Sequence, residues 1–436
     1  MCAGAKTTQM DMGCKKETLM QVELEDLKEA RRNLTEFLKE FRRCIPAQCS
    51  RAHLRTYVQG QVSDLPRKSV EPIALAAGVA PRTLQEFLSQ HKWDEEALRQ
   101  RVQRLVMRDH ADANAMAVID ETSFAKKGNK TAGVQRQYCG STGKKDNCVI
   151  SVHLGYVSDE FHALVDGDLY LPEESWDADR DRCREAGIPD TVRYRPKWQI
   201  GLDLLDRAMG NGVVFKYLTA DEGYGRYEPF RSGVDERGLI YVLEVNRNQY
   251  GWTPHGLRKT PAAGARRVDQ LWQRGGPGWN LFHIKNTDKG PVVWEVRVTR
   301  FVAREQGQPG QECWLIVARN VLDGEVKYFL SNAPVDTPIE VLLHVGFNRW
   351  HIERVFEDGK GEIGMDHFEV RRYRSIMRHL VLSMVSFLFL MKETQRLQKK
   401  TLDGPSAKCG KPSKCSLTPK CPNANAGAAS KRSRKK

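Results

Sequence analysis

The sequence predicts an α/β protein with an all-α N-terminal domain, a β-rich insertion and a basic C-terminal tail. Three patterns predict this architecture. Apolar residues recur at helical spacing before residue 110, short apolar runs alternate with a helical pattern in residues 111–238, and strand-like runs separated by Gly, Pro and Asn fill residues 239–335. The middle segment has the order strand, strand, strand, helix, strand, which indicates a mixed α/β domain.

The N-terminal domain is expected to span residues 21–110, after a segment at residues 1–20 that lacks apolar periodicity and is expected to be disordered. Its helices are predicted at Leu24–Phe41, around Arg51–Gln59, within Pro72–Leu88 and at Glu95–Met107.

Part of this domain matches a helix-turn-helix. Ala74 takes the place of the small residue, Gly78 that of the turn glycine and Leu84 that of the packing aliphatic residue. The helix Pro81–Leu88 would then direct Arg82, Thr83 and Gln85 outward, towards DNA. A plain helical hairpin without DNA contact is the alternative.

Two aspartates follow short apolar runs in the middle segment. Asp120 ends the run Ala115–Asp120, and Asp221 follows the run Val213–Ala220. A sheet fixes the ends of its strands while the adjoining loops admit substrate, so strand-end carboxylates suit catalysis. The strands are predicted at Met116–Asp120, Val149–Val157, Phe161–Tyr170 and Val213–Thr219, with a helix at Trp198–Met209.

A third acid, Glu353, lies in a predicted helix at Asn348–Lys360. With about 100° of rotation per residue, Glu353 lies about 40° and Lys360 about 20° from Arg349 around the helix axis. Two strand-end aspartates and a helical glutamate can hold two divalent cations for phosphoryl transfer. An ordinary Arg349–Glu353 ion pair on a solvated helix is the alternative.

These residues belong to longer motifs. Arg349, Glu353 and Lys360 keep the R-x3-E-x6-K spacing of a Y-x2-R-x3-E-x6-K signature, whereas Gly346 occupies the tyrosine position. Over residues 30–395 the chain resembles the DDE transposases of bacterial insertion sequences and, within their four-like superfamily, the insertion-sequence 701 family. The other matching motifs are I-D-E-T-S-F-A-K-K-G at Ile119–Gly128, R-Q-Y-C-G at Arg136–Gly140, N-C at Asn147–Cys148, A-D-E-G-Y-G at Ala220–Gly225 and R-H-L at Arg378–Leu380.

The resemblance implies a particular fold and domain layout. An RNase H-like catalytic core would begin at residues 111–238, be interrupted by the β-rich insertion at 239–335 and be completed by helices at 336–395. Beyond the resemblance, the composition of residues 396–436, rich in Lys, Pro, Ser, Gly and Ala, predicts a disordered basic tail.

The resemblance also implies a reaction. Asp120, Asp221 and Glu353 would bind two Mg²⁺ ions, for which Mn²⁺ would substitute. The transferred strand would be cut at the element ends, and the resulting 3′-hydroxyl would attack target DNA in the same site. Arg349 and Lys360 would contact DNA phosphates near the cut.

The formal net charge of +14 favours a polyanionic partner. The resemblance identifies this partner as double-stranded DNA, both the terminal inverted repeats of the element and the target, bound by a homodimer in the synaptic complex. Basic residues near the acids are candidates for phosphate contacts, although a solvated surface without a partner is the alternative. They are Lys126, Lys127 and Arg136 in a flexible loop after Asp120, and Arg371, Arg372, Arg374 and Arg378 on a basic edge near Glu353.

The cysteines and the hydropathy pattern predict the compartment. Eleven cysteines are spread from Cys2 to Cys421 without close pairs, which indicates reduced thiols in a cytosolic protein. The resemblance implies that this location is the bacterial cytoplasm, in association with the nucleoid. The apolar run Leu380–Met391 is shorter than the about 20 residues that span a bilayer. A buried helix at Ile376–Lys392, with no membrane contact, is therefore predicted.

Two other functions stay open. A catalytically silent, domesticated transposase could act as a DNA-binding regulator, although a regulator has no chemical need for all three acids. A structure-selective nuclease would cut DNA without joining it. Metal-dependent cleavage separates the first alternative from a transposase, and joining of a cut end to target DNA separates the second.

Overall fold

The computed structural model describes residues 24–158, 161–259, 264–271, 278–287 and 290–403. The helices and strands belong to one compact unit, Val22–Glu393, apart from the C-terminal end of the last helix. The predicted disordered segment 1–20 lies outside the described residues, and so does the predicted tail from residue 404 onwards.

Helices fill the N-terminal part of the described chain, as the apolar periodicity predicts. Asp94 caps the last of them by accepting hydrogen bonds from the backbone N–H groups of Glu96 and Ala97, which a helix start otherwise leaves unpaired. The helices are α1 (Leu24–Lys39), α2 (Gln48–Gln61), α3 (Val70–Ala76), α4 (Pro81–Ser89) and α5 (Glu95–His110).

Helices α3 and α4 meet at the turn predicted for a helix-turn-helix. Gly78 has a φ of +68°, which glycine adopts without the steric cost of a Cβ. Ala74 and Leu84 are buried, whereas Arg82 is exposed and pairs with Glu86 one helical turn away. The packing pattern of a helix-turn-helix is therefore present, and its contact with DNA stays a prediction.

The middle of the chain forms a mixed sheet with the order β4–β3–β1–β5–β6, and β2 also pairs with β3. Strand β5 is parallel to both β1 and β6, while β3 is antiparallel to β1. This sheet is consistent with an RNase H-like core. The strands are β1 (Met116–Ala125), β2 (Gln135–Cys139), β3 (Lys144–Val157), β4 (His162–Leu169), β5 (Tyr217–Ala220) and β6 (Ile240–Val245); a π-helical turn (Glu173–Asp177), α6 (Arg180–Glu185), α7 (Lys197–Gly210), α8 (Glu222–Gly225) and α9 (Glu228–Glu236) connect them.

The sequence predicts one flexible loop for the basic segment after Asp120, but the structure shows a different arrangement. Strand β2 pairs with the first residues of β3 and forms a hairpin. Residues along β2 alternate between half-buried and exposed, but nearly all of them are polar. The strand therefore lacks the apolar alternation by which sequence analysis finds strands.

The β-rich segment continues the core sheet. Leu330 of β12 lies opposite Leu243 of β6, so the twelve strands of the described residues form one sheet. The limits 239–335 for an insertion stay a prediction, and β6, which lies inside them, pairs with β5. The further elements are β7 (Tyr250–Trp252), α10 (Pro254–Lys259), β8 (Arg266–Arg267), α11 (Val268–Leu271), β9 (Asn280–Thr287), β10 (Gly290–Glu305), β11 (Gln308–Asn320) and β12 (Val326–Ser331).

The described part of the chain ends in three helices, α12 (Ile339–Phe347), α13 (Trp350–Gly361) and α14 (Tyr373–Asp403). Helix α14 is long and apolar enough to cross a membrane, but 83% of its apolar window is buried inside the protein. The prediction of a buried core helix is therefore confirmed, and α14 also continues past residue 396, where the tail was expected to begin.

The prediction that Arg378 belongs to a basic surface near Glu353 is wrong. Arg378 is fully buried, and its guanidinium donates hydrogen bonds to carbonyl oxygens at and after the C-terminal end of α4. The acceptors are Phe87 at 3.3 Å, Leu88 at 3.3 Å, His91 at 2.9 Å and Trp93 at 2.6 Å. Arg378 thus ties α14 to the helical N-terminal part by satisfying carbonyl groups that a helix end leaves unpaired.

Candidate active site

Asp120 and Asp221 follow paired residues of two neighbouring parallel strands. Ile119 of β1 lies opposite Ala220 of β5, and each is followed by one of the two aspartates. Because the two strands run in the same direction, this register places both aspartates at the same level, where the pairing of β1 with β5 ends. Asp221 also begins α8, where its Oδ1 atom accepts a hydrogen bond from the backbone N–H of Gly223 at 2.9 Å.

The last glycine of the A-D-E-G-Y-G motif holds this arrangement in place. The backbone N–H of Gly225 donates a hydrogen bond to the carbonyl oxygen of Asp221 at 2.9 Å. A Cβ atom at position 225 would lie only 2.1 Å from the carbonyl oxygen of Glu244 in β6. The close approach of α8 to β6 therefore requires glycine at this position, and this packing fixes the backbone next to Asp221.

Glu353 reaches the site through Arg349. The guanidinium of Arg349 donates to Asp120 Oδ2 at 3.0 Å and to Glu353 Oε1 at 2.5 Å. The predicted i,i+4 pair on α13 is therefore present, but the same arginine also binds the strand aspartate. Within the described residues, no three His, Cys, Asp or Glu side chains are arranged as ligands of one metal ion, and the Arg349 guanidinium lies between Asp120 and Glu353.

Burial and a neighbouring acid control the charge of Asp120. Burial, and then the negative charge of Asp221, raise the pKa of Asp120 to about 7, although Arg349 opposes this shift. Burial alone would lower the pKa of Arg349, but the charges of Asp120, Glu353 and Asp221 outweigh it and raise that pKa. Carboxylate oxygens such as those of Asp120, Asp221 and the half-exposed Glu353 are the ligand type that hard divalent cations prefer, but among the described residues these three are not arranged around one metal position.

A cavity of about 230 Å³ opens beside Asp221, which lies in its wall together with Lys360. Burial lowers the pKa of Lys360. Arg349 and Lys360 are the two cations of the R-x3-E-x6-K spacing. Arg349 thus contacts Asp120, and Lys360 lines the cavity. The lining residues are Glu121, Thr122, Ser123, Tyr138, Gly140, Ser141, Ile150, Asp221 and Lys360.

Of the residues that line this cavity, sequence reasoning named Asp221 and Lys360 as site residues and missed the others, which include Glu121 and Tyr138. Glu121 forms an ion pair with Lys197 and accepts a hydrogen bond from the hydroxyl of Tyr224 at 3.2 Å. Tyr138 is 65% exposed. Both residues stand in motifs that the sequence analysis quoted, I-D-E-T and R-Q-Y-C-G, so their position in those motifs was the available signal.

The predicted DNA-binding cations occupy different environments. The Nζ atom of Lys126 donates to the carbonyl oxygen of Phe368 at 2.7 Å and lies 3.4 Å from the centroid of the Phe368 ring. Burial lowers the pKa of Lys126 to about 8. This packing role was not predicted, and a contact between Lys126 and DNA stays a prediction.

The other candidate cations are exposed. Lys127 and Arg136 lie on the surface between Asp120 and the end of β2, and Arg371 and Arg372 lie on the surface before α14. The carbonyl oxygen of Arg371 accepts a hydrogen bond from the backbone N–H of Ala132 at 2.9 Å. The two exposed basic segments are therefore neighbours, as a shared phosphate-binding surface would require.

Gly346, at the tyrosine position of the signature, is buried where α12 packs on the sheet. A Cβ atom there would lie 3.1 Å from Val242 Cγ1 and 3.4 Å from the ring of Phe329. The next residue, Phe347, packs against Trp294 at 4.8 Å between ring centroids. There is thus no room for a tyrosine at position 346, and the neighbouring aromatic residue belongs to the core.

Comparisons with known proteins agree with these observations. A family model described as "DDE superfamily endonuclease" matches residues 40–300, which include Asp120 and Asp221 and end before Glu353. The chain is 29% identical over 324 residues to a probable transposase for insertion sequence element IS701 of Microchaete diplosiphon, covering 73% of this chain and 76% of that protein. The comparison with solved structures finds the NurA nuclease from Sulfolobus solfataricus, at 10% identity, 60% coverage of this chain and 89% of that chain, but its TM-score of 0.25 is too low to support an argument.

Proposed function

This chain belongs to the DDE superfamily of endonucleases, and we propose that it is a DNA transposase that cuts the ends of a mobile element and joins them to target DNA. The observation that supports the proposal is that Arg349 binds both Asp120 and Glu353, while Asp120 and Asp221 follow paired residues of two neighbouring parallel strands. The likeness to the probable transposase for IS701 supports transposition over other endonuclease functions.

The donor set suits divalent cations. Asp120, Asp221 and Glu353 would hold two Mg²⁺ ions, or Mn²⁺ in their place, because carboxylate oxygens are the preferred ligands of both. The raised pKa of Asp120 beside Asp221 indicates two acids close enough to repel each other. Bound there, such ions would activate the attacking oxygen and stabilise the leaving oxygen.

The cations of the chain would place the DNA. The planar guanidinium of Arg349 can bind a phosphate with two parallel N–H groups, and Lys360 can contact a second phosphate as a point charge. Hydrolysis of the phosphodiester bond at an element end leaves a 3′-hydroxyl, and that hydroxyl then displaces an oxygen of a target phosphate.

Further proposals concern the surroundings of the reaction. Arg82, Lys126, Lys127, Arg136, Arg371 and Arg372 are the candidates for contacts with the terminal repeats and the target. Two protomers would pair two element ends in a synaptic complex. We place the protein in the bacterial cytoplasm, associated with the nucleoid.

The test is cleavage of a labelled duplex that carries the DNA flanking this gene, with Mg²⁺ or with EDTA. The Glu353→Gln variant should lose metal-dependent cleavage at a unique position, because it lacks one proposed ligand, while its binding of DNA is mostly retained. Glu357→Gln is the matched control, since Glu357 lies on the same helix and is 73% exposed.

Other outcomes would identify the alternatives. Wild-type cleavage by Glu353→Gln would show that the third ligand is misassigned. Binding without cleavage by the wild type would favour the DNA-binding regulator. Cleavage without joining of the cut end to a target plasmid would favour a nuclease.

A further inference from the structure

The hairpin of β2 and β3 presents an aromatic residue between cations. Arg136 and Tyr138 are exposed, whereas Gln135 and Gln137 are half-buried. The register pairs Tyr138 with Lys145 on β3, which is also exposed. Alternate residues of a strand share one face, and directly paired residues lie on the same face. Arg136, Tyr138 and Lys145 therefore form one exposed face, called here the hairpin face.

The hairpin face is fixed to the strand that carries Asp120. The backbone N–H of Ser141 donates to Ser123 Oγ at 3.3 Å, and Cys139 Sγ donates to the same atom at 3.5 Å. Ser123 lies in β1, three residues after Asp120 in the sequence. Tyr138 is therefore held at a defined place relative to the candidate catalytic acids.

Tyr138 also shares a cavity with the site. The cavity of about 230 Å³ has Tyr138, Asp221 and Lys360 in its wall. Single exposed aromatic residues are common on protein surfaces and need no explanation. An aromatic residue that is flanked by cations on one side and lines the cavity of a proposed phosphoryl-transfer site on the other has the features of a single-strand contact.

We propose that Tyr138 stacks on an unpaired DNA base next to the phosphate that is cut, while Arg136 and Lys145 contact the adjoining backbone. This inference rests on the proposed function. Asp120 is buried, so the phosphate has to enter the site, and the nucleotide beside it is then drawn towards the cavity. An aromatic ring accepts any base, because every base has a π face, whereas the cations bind the backbone without regard to sequence. Tyr138 is thus a positioning residue.

The experiment is a double-mutant cycle in which the side chain at position 138 and one DNA base are removed separately and together. Binding is measured by fluorescence anisotropy in the Glu353→Gln background, which separates it from cleavage. The probes are element-end duplexes that are intact or carry one abasic nucleotide at successive positions on either side of the cut. The proteins carry Tyr138, Tyr138→Ala or Tyr138→Phe. Tyr250→Ala is the matched control, because Tyr250 is 43% exposed and lies on another strand.

The expected result is a dependence on both partners. Stacking contributes about 1–3 kcal/mol per base, so Tyr138→Ala should weaken binding about 5- to 150-fold. One abasic position should weaken binding to the Tyr138 protein by the same factor and leave Tyr138→Ala unaffected. Tyr138→Phe should bind as Tyr138 does, and Tyr250→Ala should change nothing.

Three results would overturn the inference. If each abasic position weakened DNA binding equally for the Tyr138 protein and for Tyr138→Ala, the ring would contact no base. If Tyr138→Ala were misfolded, the Tyr138 protein alone would decide: the inference fails if no single abasic position weakens its binding by the expected factor. If the wild type bound and cleaved the element end specifically and Tyr138→Ala bound the DNA equally well, the stacking inference would fail. The transposase proposal would then stay intact. Absence of specific binding by the wild type would overturn both.

Discussion

Replacing Arg349 with alanine should strengthen the binding of Mn²⁺ in the absence of DNA. Arg349 binds Asp120 and Glu353, and a cation that takes both carboxylates has to displace its guanidinium. Hydrogen bonds to charged groups contribute about 1.5–3 kcal/mol each. Only the bond to the buried Asp120 is counted, because Glu353 is half exposed and such pairs contribute little. The dissociation constant for Mn²⁺ should therefore fall about ten- to hundredfold.

Isothermal titration calorimetry with MnCl₂ measures this change directly and needs no catalytic activity. The titration is done at pH 8.5, because burial and Asp221 raise the pKa of Asp120 to about 7 and protons compete with the metal near neutrality. Arg354→Ala is the matched control, since Arg354 lies on the same helix and forms an exposed pair with Asp358.

An unchanged or larger dissociation constant for Arg349→Ala, with a normal thermal melting curve, would refute the reasoning. Arg349 would then not compete with cations for Asp120. A gain in affinity that Arg354→Ala shared would mean that the loss of any positive charge on α13 suffices, and the specific contact would have no role.

Three further predictions concern stability. Arg378→Met should lower the free energy of unfolding in urea by about 3–5 kcal/mol, because it leaves buried carbonyl groups and Glu95 without their cation, while Arg374→Met, at an exposed position, should change it little. Gly225→Ala should cost about 1–3 kcal/mol and reduce DNA cleavage, because its Cβ meets the carbonyl oxygen of Glu244, whereas Gly210→Ala has open space and should not. Burial lowers the pKa of His379 from 6.5 to about 4, so the folded state keeps this ring neutral while the unfolded chain binds a proton. Stability should therefore fall by up to about 3 kcal/mol as the pH decreases from 7 to 4, and His379→Gln should remove that part of the dependence in urea titrations.

The three candidate acids could be named from the sequence because strand ends and a motif spacing restrict them to a few positions, and their role in catalysis stays a prediction. Asp120 and Asp221 follow apolar runs that had to be strands, and Glu353 stands at a fixed spacing between two cations. The periodicity of the apolar residues also predicted the core strands and the long buried helix. These features depend only on residues that are close in the sequence, so they can be recognised without knowing the fold.

The parts that could not be predicted depend on contacts between distant residues. Arg349 and Asp120 are 229 positions apart, and nothing in either segment specifies that they meet. Lys126 and Arg378 were interpreted as surface cations, because a basic residue does not reveal whether it will meet a phosphate or a carbonyl oxygen. Both donate to backbone carbonyls of other segments, a role that depends on where those segments end.

The contacts of Arg349 explain why an arginine four residues before the glutamate is useful in such a site. Asp120 is buried next to Asp221, and two close carboxylates repel each other unless a cation compensates them. Arg349 supplies a compensating cation from the same helical face as Glu353, and its charge limits the rise in the pKa of Asp120, which reaches about 7. The same guanidinium has the geometry to bind a phosphate once Asp120 and Glu353 bind metal. One residue thus pairs with two acids in the free protein and, under the proposed function, would contact the DNA in the complex.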